Sequence, residues 1–253
     1  MEPDSSVLEV PPRILAFVVL ALAVGTWFAA APRVPAVGLW PTIAIVSAGV
    51  LPATLLLLYI ALPLRRLRWY VLMLFAIGLG LIAFAYSEEG WALAANFAKL
   101  WAAAFAGWAF LYLFQEVTLV VLIAALIALV DSYSVFTPGA PTHEIVKHHI
   151  EIYNDVAIAF LAPHGAAAQL GPPDILFFAF FLGAAARFGL RVGWTWIVTT
   201  GLYAASFPLT IELARIWPDL NGLPALPFLS VGFLVANADL LWTAIRNRRT
   251  SDP

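Results

Sequence analysis

Long apolar runs separated by short polar breaks organise this chain. A bilayer-crossing helix needs roughly 20 apolar residues, and runs of that order recur at 14–31, 38–63, 69–86, 91–112, 117–136, 173–190, 193–214 and 222–244. The pattern predicts a helix over each. A tight turn around Phe114, Gln115 and Glu116 separates the fourth run from the fifth. One interval breaks the rhythm, a long polar connection from about Thr137 to Pro172. Within it, Glu144 to Phe160 places Ile145, Ile152, Val156 and Ala159 inward, which predicts an amphipathic helix on the membrane surface. Its position between the fifth and sixth runs suits a substrate gate.

Composition turns this pattern into a class. The chain is 63% apolar with 11% charged residues and a mean hydropathy of +0.93, far from a soluble domain. The expected architecture is all-α: a polytopic transmembrane bundle of about eight helices, forming one membrane-embedded domain over 1–253. A four-helix part covers 14–112, and a second part covers 117–244. The opening residues, MEPDSSVLEVPPR, are acidic and proline-containing, unlike a basic-then-apolar signal peptide, so no cleaved leader is expected. Absence of Cys rules out disulfides, thiolate metal sites and a Cys nucleophile. A net charge of −2 without a basic stripe gives no argument for nucleic acid. No internal repeat, nucleotide loop or low-complexity tract is present.

Charge placement sets an orientation. Arg65, Arg66 and Arg68 follow the second run, Arg187 and Arg191 flank the sixth and seventh, and Arg246, Arg248 and Arg249 close the chain. Eight helices put all three groups on one side, the cytoplasmic one, giving a multi-pass cell-membrane protein with its C-terminus inside. Ser87-Glu88-Glu89 and Trp217-Pro218-Asp219 fall opposite. Arg33 alone disagrees.

Two carboxylates sit where apolar residues are expected. Asp131 closes VTLVVLIAALIALVD, and Asp174 opens DILFFAFFLGAAA. A charge in the hydrocarbon layer costs at least a few kcal/mol, which makes each a candidate for function. Asp131 precedes the polar connection by about five residues, roughly 7–8 Å of helix, and Asp174 follows it. Both therefore lie toward one membrane face, on antiparallel spans. Two carboxylates at one level share a proton, so that one can draw a proton from water while the other gives one to a carbonyl oxygen.

Three segments then carry a resemblance. VDSYSVFTPGAP (Val130 to Pro141), LGPPDILFFAFFLGAAA (Leu170 to Ala186) and LPALPFLSVGFLVANADLL (Leu223 to Leu241) resemble, in order, the two catalytic segments and the PAL segment of the presenilin and signal peptide peptidase family of intramembrane aspartyl proteases. The resemblance covers 117–244. It implies a presenilin-like fold and hydrolysis of peptide bonds inside transmembrane segments of membrane proteins or signal peptides. Asp131 and Asp174 would be the catalytic pair. Gly171 would shape the approach to Asp174, and Pro224, Ala225 and Leu226 would shape the site and help hold a transmembrane peptide. Water is the nucleophile, so neither cofactor nor metal is required. Two positions depart from the family pattern: Val130 stands in place of Tyr, and Gly171-Pro172-Pro173-Asp174 in place of GxGD. The family has nine spans rather than eight. Pro173 is compatible with a helix's first turn, or marks an inactive homologue.

Plainer readings stand beside these. Asp131 could be a helix-end residue reaching water, and Asp174 a first-turn acid stabilised by the helix dipole. The prolines Pro224 and Pro227 could mark a simple helix start; functionally, they would free backbone groups to pair with an unwound substrate. Glu116 reads as a solvated turn residue, Glu212 and Arg215 as an i,i+3 pair, and Asp239 as structural. Ala179 and Gly183, four apart, predict close helix packing. His143, His148 and His149 with Glu144, Glu151 and Asp155 lack any HExxH spacing, so no metal site is expected. A secondary transporter using buried carboxylates and an inactive membrane scaffold are the competing function classes.

Overall fold

The structure is a computed structural model and describes residues 11–89, 91–137, 156–165, 167–217 and 222–249. Helix α1 (Pro12–Ala30) is followed by α2 (Leu39–Ala44), a π-helical segment (Ile45–Val50) and α3 (Leu51–Ile60). Then come α4 (Trp69–Glu88), α5 (Ala92–Phe110) and α6 (Val117–Phe136). A small antiparallel hairpin, β1 (Ile158–Leu161) and β2 (Ala167–Leu170), precedes α7 (Pro172–Arg187) and α8 (Val192–Ile216). The last run holds α9 (Leu226–Ala236) and α10 (Ala238–Arg249).

Five of the described helices or helix runs are long and apolar enough to cross a membrane, or six if the bent pair α9–α10 is one span. Helix α5 carries Asn96 and Lys99, and α7 has only 16 residues. Both are held inside the bundle instead. Helix α7 is its axis: Ile175 and every residue from Phe178 to Ala185 are buried, as expected of a helix that is apolar on all sides. Helices α1, α4 and α6 turn Leu22, Leu74, Phe84 and Leu129 outward, each at least 65% exposed, a lipid-facing surface.

Close contact at α7 runs through small residues. A Cβ added at Gly107 of α5 would lie 2.2 Å from the Leu176 carbonyl oxygen, so the two backbones touch. Gly183 packs against the side chains of Leu111 and Trp108, 3.0 and 3.2 Å from where a Cβ would sit, and Ala179 is fully buried, in line with the small-residue spacing.

The two ends of the bundle differ chemically. At one end the Arg65 guanidinium donates to the Ala186 carbonyl at 3.0 Å, Arg187 donates to the Leu111 carbonyl, and Arg191 forms a forked pair with Asp239 at 2.6 and 2.8 Å. Arg65, Arg187 and Arg191 thus gather at one end. Exposed Trp69, Trp194 and Trp242 lie at this arginine end, and exposed Trp40, Trp91 and Trp217 at the other. Such paired belts mark the two membrane–water interfaces.

Three expectations need correction. The last run is not one straight helix: α9 and α10 meet at a 72° bend at Asn237. That side chain is fully buried and accepts the Arg191 N–H while its amide donates to the Thr195 hydroxyl and the Phe233 carbonyl. An Asn that offers such bonds competes with helical continuation, and the Arg191–Asp239 pair anchors α10 beyond the bend. Replacing Asn237 by Leu strips partners from buried polar groups, an expected loss of about 2 kcal/mol, to be read from thermal unfolding of the purified protein. The second run opens into a π-helical turn just before Pro52, whose missing N–H cannot bond the carbonyl four residues back.

The third concerns the amphipathic helix over Glu144 to Phe160. Its residues from 144 to 155, and with them His148, His149 and the gate, lie outside the described residues. Its end, from Ile158, is strand. Ile158 pairs with Leu170 and Leu161 with Ala167. The Asn96 side-chain amide pairs with both backbone groups of Ala159 at 2.7 Å, and the Trp27 indole donates to the Leu161 carbonyl at 2.8 Å. Partners distant in sequence override the helical period. Irregular backbone at membrane depth needs such protein partners.

Candidate functional site

Helix α6 runs toward the end opposite the arginines, and Asp131 lies five residues from its terminus. Its Oδ2 accepts the Leu226 N–H at 3.0 Å, and the Ala225 amide also bonds the carboxylate. Leu226 begins α9, whose first N–H groups have no partner within the helix. Asp131 therefore caps α9 from across the bundle, an arrangement the helix dipole favours. Pro224 and Pro227 frame this turn and keep the chain from continuing as helix upstream of Ala225.

Asp174 is the third residue of α7. Its Oδ2 accepts the Gly171 N–H at 3.1 Å while its own N–H donates to the Gly171 carbonyl at 3.0 Å, the reach-back half of a capping box. Pro172 and Pro173 occupy the first two helical positions, where a missing N–H is no loss. Gly171 is extended (φ −66°, ψ 146°), and an added Cβ would come no nearer than 3.4 Å to Pro173 and 3.6 Å to Asp174. The backbone does not require glycine there. Gly171→Ala is expected to fold normally with a stability within about 0.5 kcal/mol of the parent, read from thermal unfolding.

One cavity of about 790 Å³ collects the predicted residues: Asp131, Asp174, Gly171, Pro224, Ala225 and Leu226 all line it. The two carboxylates are within electrostatic reach of each other. Helix α6 rests mainly on α9 and touches α7 more briefly, so the start of α9 sits beside both acids. Strand β2 contributes Ala168, Gln169 and Leu170 to the wall, and α8 contributes Tyr203, Ser206 and Thr210.

Tyr203 is the residue that the motifs did not reveal. It is 1% exposed, lines the cavity, and its hydroxyl interacts with the Asp174 carboxylate. A signal was present: Thr195, Thr199, Tyr203, Ser206 and Thr210 repeat at three- and four-residue spacing, a stripe of hydroxyls along one face of α8. The threonines and Ser206 turn back onto carbonyls of their own helix. The longer Tyr203 side chain reaches across. Losing one hydroxyl contact to a carboxylate is worth up to about 1.5 kcal/mol, so Tyr203→Phe is expected to lower stability by no more than that, as read from thermal unfolding of the purified protein.

The other acids have structural roles. Glu212 pairs with Arg215 at 2.8 Å, and Asp239 with Arg191. Glu116 precedes the first residue of α6. No family model matches the chain, and no curated protein matches it in sequence. What the site does therefore has to be argued from its own chemistry.

Proposed function

We propose that the chain is an intramembrane aspartyl protease resembling the presenilin and signal peptide peptidase group, built as a presenilin-like bundle, and that it hydrolyses peptide bonds within transmembrane segments. One observation carries this reading. Two acidic side chains from different helices line the same cavity, each with one oxygen tethered to a helix-start amide, and the Pro224-Ala225-Leu226 turn lines that cavity and holds Asp131.

The chemistry needs nothing beyond these groups and water. One carboxylate removes a proton from water, whose oxygen adds to the scissile carbonyl carbon. The protonated partner gives its proton to the carbonyl oxygen. Collapse of the tetrahedral species breaks the C–N bond, and the departing nitrogen takes a proton. The products are one new carboxyl and one new amine. Which aspartate starts protonated is a property of the pair rather than of either residue.

Substrate positioning has a natural template. One edge of β1 is held by Asn96 and Trp27, and its other edge by β2. Strand β2 has no second strand partner among the described residues and runs directly into Gly171 and Asp174. An unwound substrate segment can add to that edge by backbone hydrogen bonds. The Leu226 N–H, which sequence reasoning would offer to substrate, is instead engaged by Asp131.

A transporter would place its carboxylates at a helix break. Here the 72° break at Asn237 adjoins Arg191 at the opposite end from the acids, while the π-helical segment Ile45–Val50 borders their cavity through Val46, so the two readings are separated by what the protein does to a peptide. The test is direct. Protein reconstituted in lipid is incubated with a single-span peptide, and fragments are weighed by mass spectrometry. New termini inside the apolar stretch support the protease; an intact peptide with proton-coupled solute uptake supports the transporter.

A further inference from the structure

We infer that α10 is a membrane-surface helix: its uncovered apolar flank enters the headgroup–acyl boundary of the bilayer, and its polar flank binds anionic phospholipid headgroups. This surface lies at the far end of the bundle from the acids and is independent of proteolysis.

The bend at Asn237 sets its direction. Helix α9 runs antiparallel to α8 and lies directly against it. A Cβ added at Gly232 would come within 2.8 Å of the Thr199 Cα, and the Asn237 amide donates to the Thr195 hydroxyl. Asn237 also accepts the Arg191 N–H, so the bend falls level with the start of α8, where that span leaves the bilayer. With 11 residues, α9 rises about 16 Å, short of a hydrocarbon core of about 30 Å. It therefore starts within the membrane and surfaces at Asn237. From there α10 turns 72° away from the α9 axis, along the membrane plane rather than out of it. The Arg191–Asp239 pair at 2.6 Å fixes that direction.

Side chains sort around α10 accordingly. At about 100° per residue, Leu240, Leu241, Trp242, Ala244 and Ile245 fall on one side, and Asp239, Thr243 and Arg246 on the other. This is the pattern of a helix that lies in a bilayer interface. The bundle covers only part of the apolar side. Helix α10 rests on α6 and Leu241 is 4% exposed, whereas Trp242 is 69% exposed. An indole left open beside a surfacing helix fits the interfacial layer, which accommodates its apolar ring and its N–H together.

Charge names the lipid. Arg246 is exposed one turn along from Trp242, and exposed Arg13, Arg66 and Arg68 belong to the same end. Among the described residues the acids there are Glu116 and Asp239, and Asp239 is held by Arg191. An excess of guanidinium groups at one interface draws anionic headgroups, whose phosphate oxygens match the guanidinium fork.

The absence of Cys allows one label at a time. Trp242→Cys and, on the polar flank, Thr243→Cys are tagged with an environment-sensitive fluorophore in the full-length protein. Each is reconstituted in phosphatidylcholine vesicles with or without phosphatidylglycerol. In the mixed vesicles, neutral acrylamide is expected to quench the label at position 242 about fivefold less than the label at position 243. Equal quenching means that α10 stands clear of the bilayer and overturns the inference. Shielding at position 242 is expected to weaken in pure phosphatidylcholine, in high salt and on introducing Arg246→Gln, while thermal unfolding stays unchanged. Shielding that ignores headgroup charge, salt and Arg246→Gln overturns the anionic-lipid assignment. Shielding that disappears when the protein is diluted in lipid identifies a second copy of the chain as the occupant and likewise overturns the inference.

Discussion

Asp131→Asn and Asp174→Asn are each expected to reduce cleavage of a transmembrane peptide by about 10³-fold or more, the scale on which acid–base groups contribute. Asn is the informative replacement because its side-chain oxygen still accepts the amide that each carboxylate holds. At 131 that is the Leu226 N–H, and at 174 the Gly171 N–H. Both variants should therefore purify and unfold like the parent. A double variant should be no worse than either single one, since groups acting as a unit are not additive. Substantial cleavage by either single variant would remove the mechanism, and loss of fold in both would assign the acids to capping alone.

The second large effect concerns the contact beneath the site. Gly107→Ala is expected to destabilise the protein by about 3 kcal/mol, the upper range for overpacking. The new Cβ would meet the Leu176 carbonyl oxygen at 2.2 Å, its carbon at 3.0 Å and the Phe180 nitrogen at 3.2 Å. All three are backbone atoms, so no side-chain rotation relieves the clash; α5 and α7 must separate. Leu176 lies two residues beyond Asp174, so cleavage should fall along with stability. Gly78→Ala in α4 is the control. Nothing lies within 4 Å of a Cβ there, and exchanging glycine for alanine inside a helix is expected to be neutral or stabilising by up to about 1 kcal/mol. Thermal unfolding of the two variants side by side reads the difference.

Much of this architecture was visible in the chain itself because a bilayer allows few alternatives. Backbone groups in hydrocarbon must be satisfied within the segment, so each long apolar run marks a helix with little ambiguity. The two aspartates were legible for the same reason: a carboxylate in such a run stands out against its cost. Their convergence followed from the order of spans. Other features depend on partners far away in sequence. Ile158 to Leu161 becomes strand because the Asn96 amide, 63 residues earlier, pairs with Ala159. The bend at Asn237 needs Arg191 and Thr195, and neither is signalled by the run LVANADLL. Tyr203 carried a readable hint in the hydroxyl stripe of α8, but its approach to Asp174 depends on how α8 and α7 pack.

The most direct test of paired-carboxylate hydrolysis uses isotopic water. Reconstituted protein and a single-span peptide are incubated in H₂¹⁸O, and the fragments are analysed by mass spectrometry. Direct attack of water predicts cleavage within the apolar stretch, with one ¹⁸O atom in the newly formed carboxyl of each N-terminal fragment and none elsewhere. A peptide that stays whole under conditions where the protein remains folded would contradict the account.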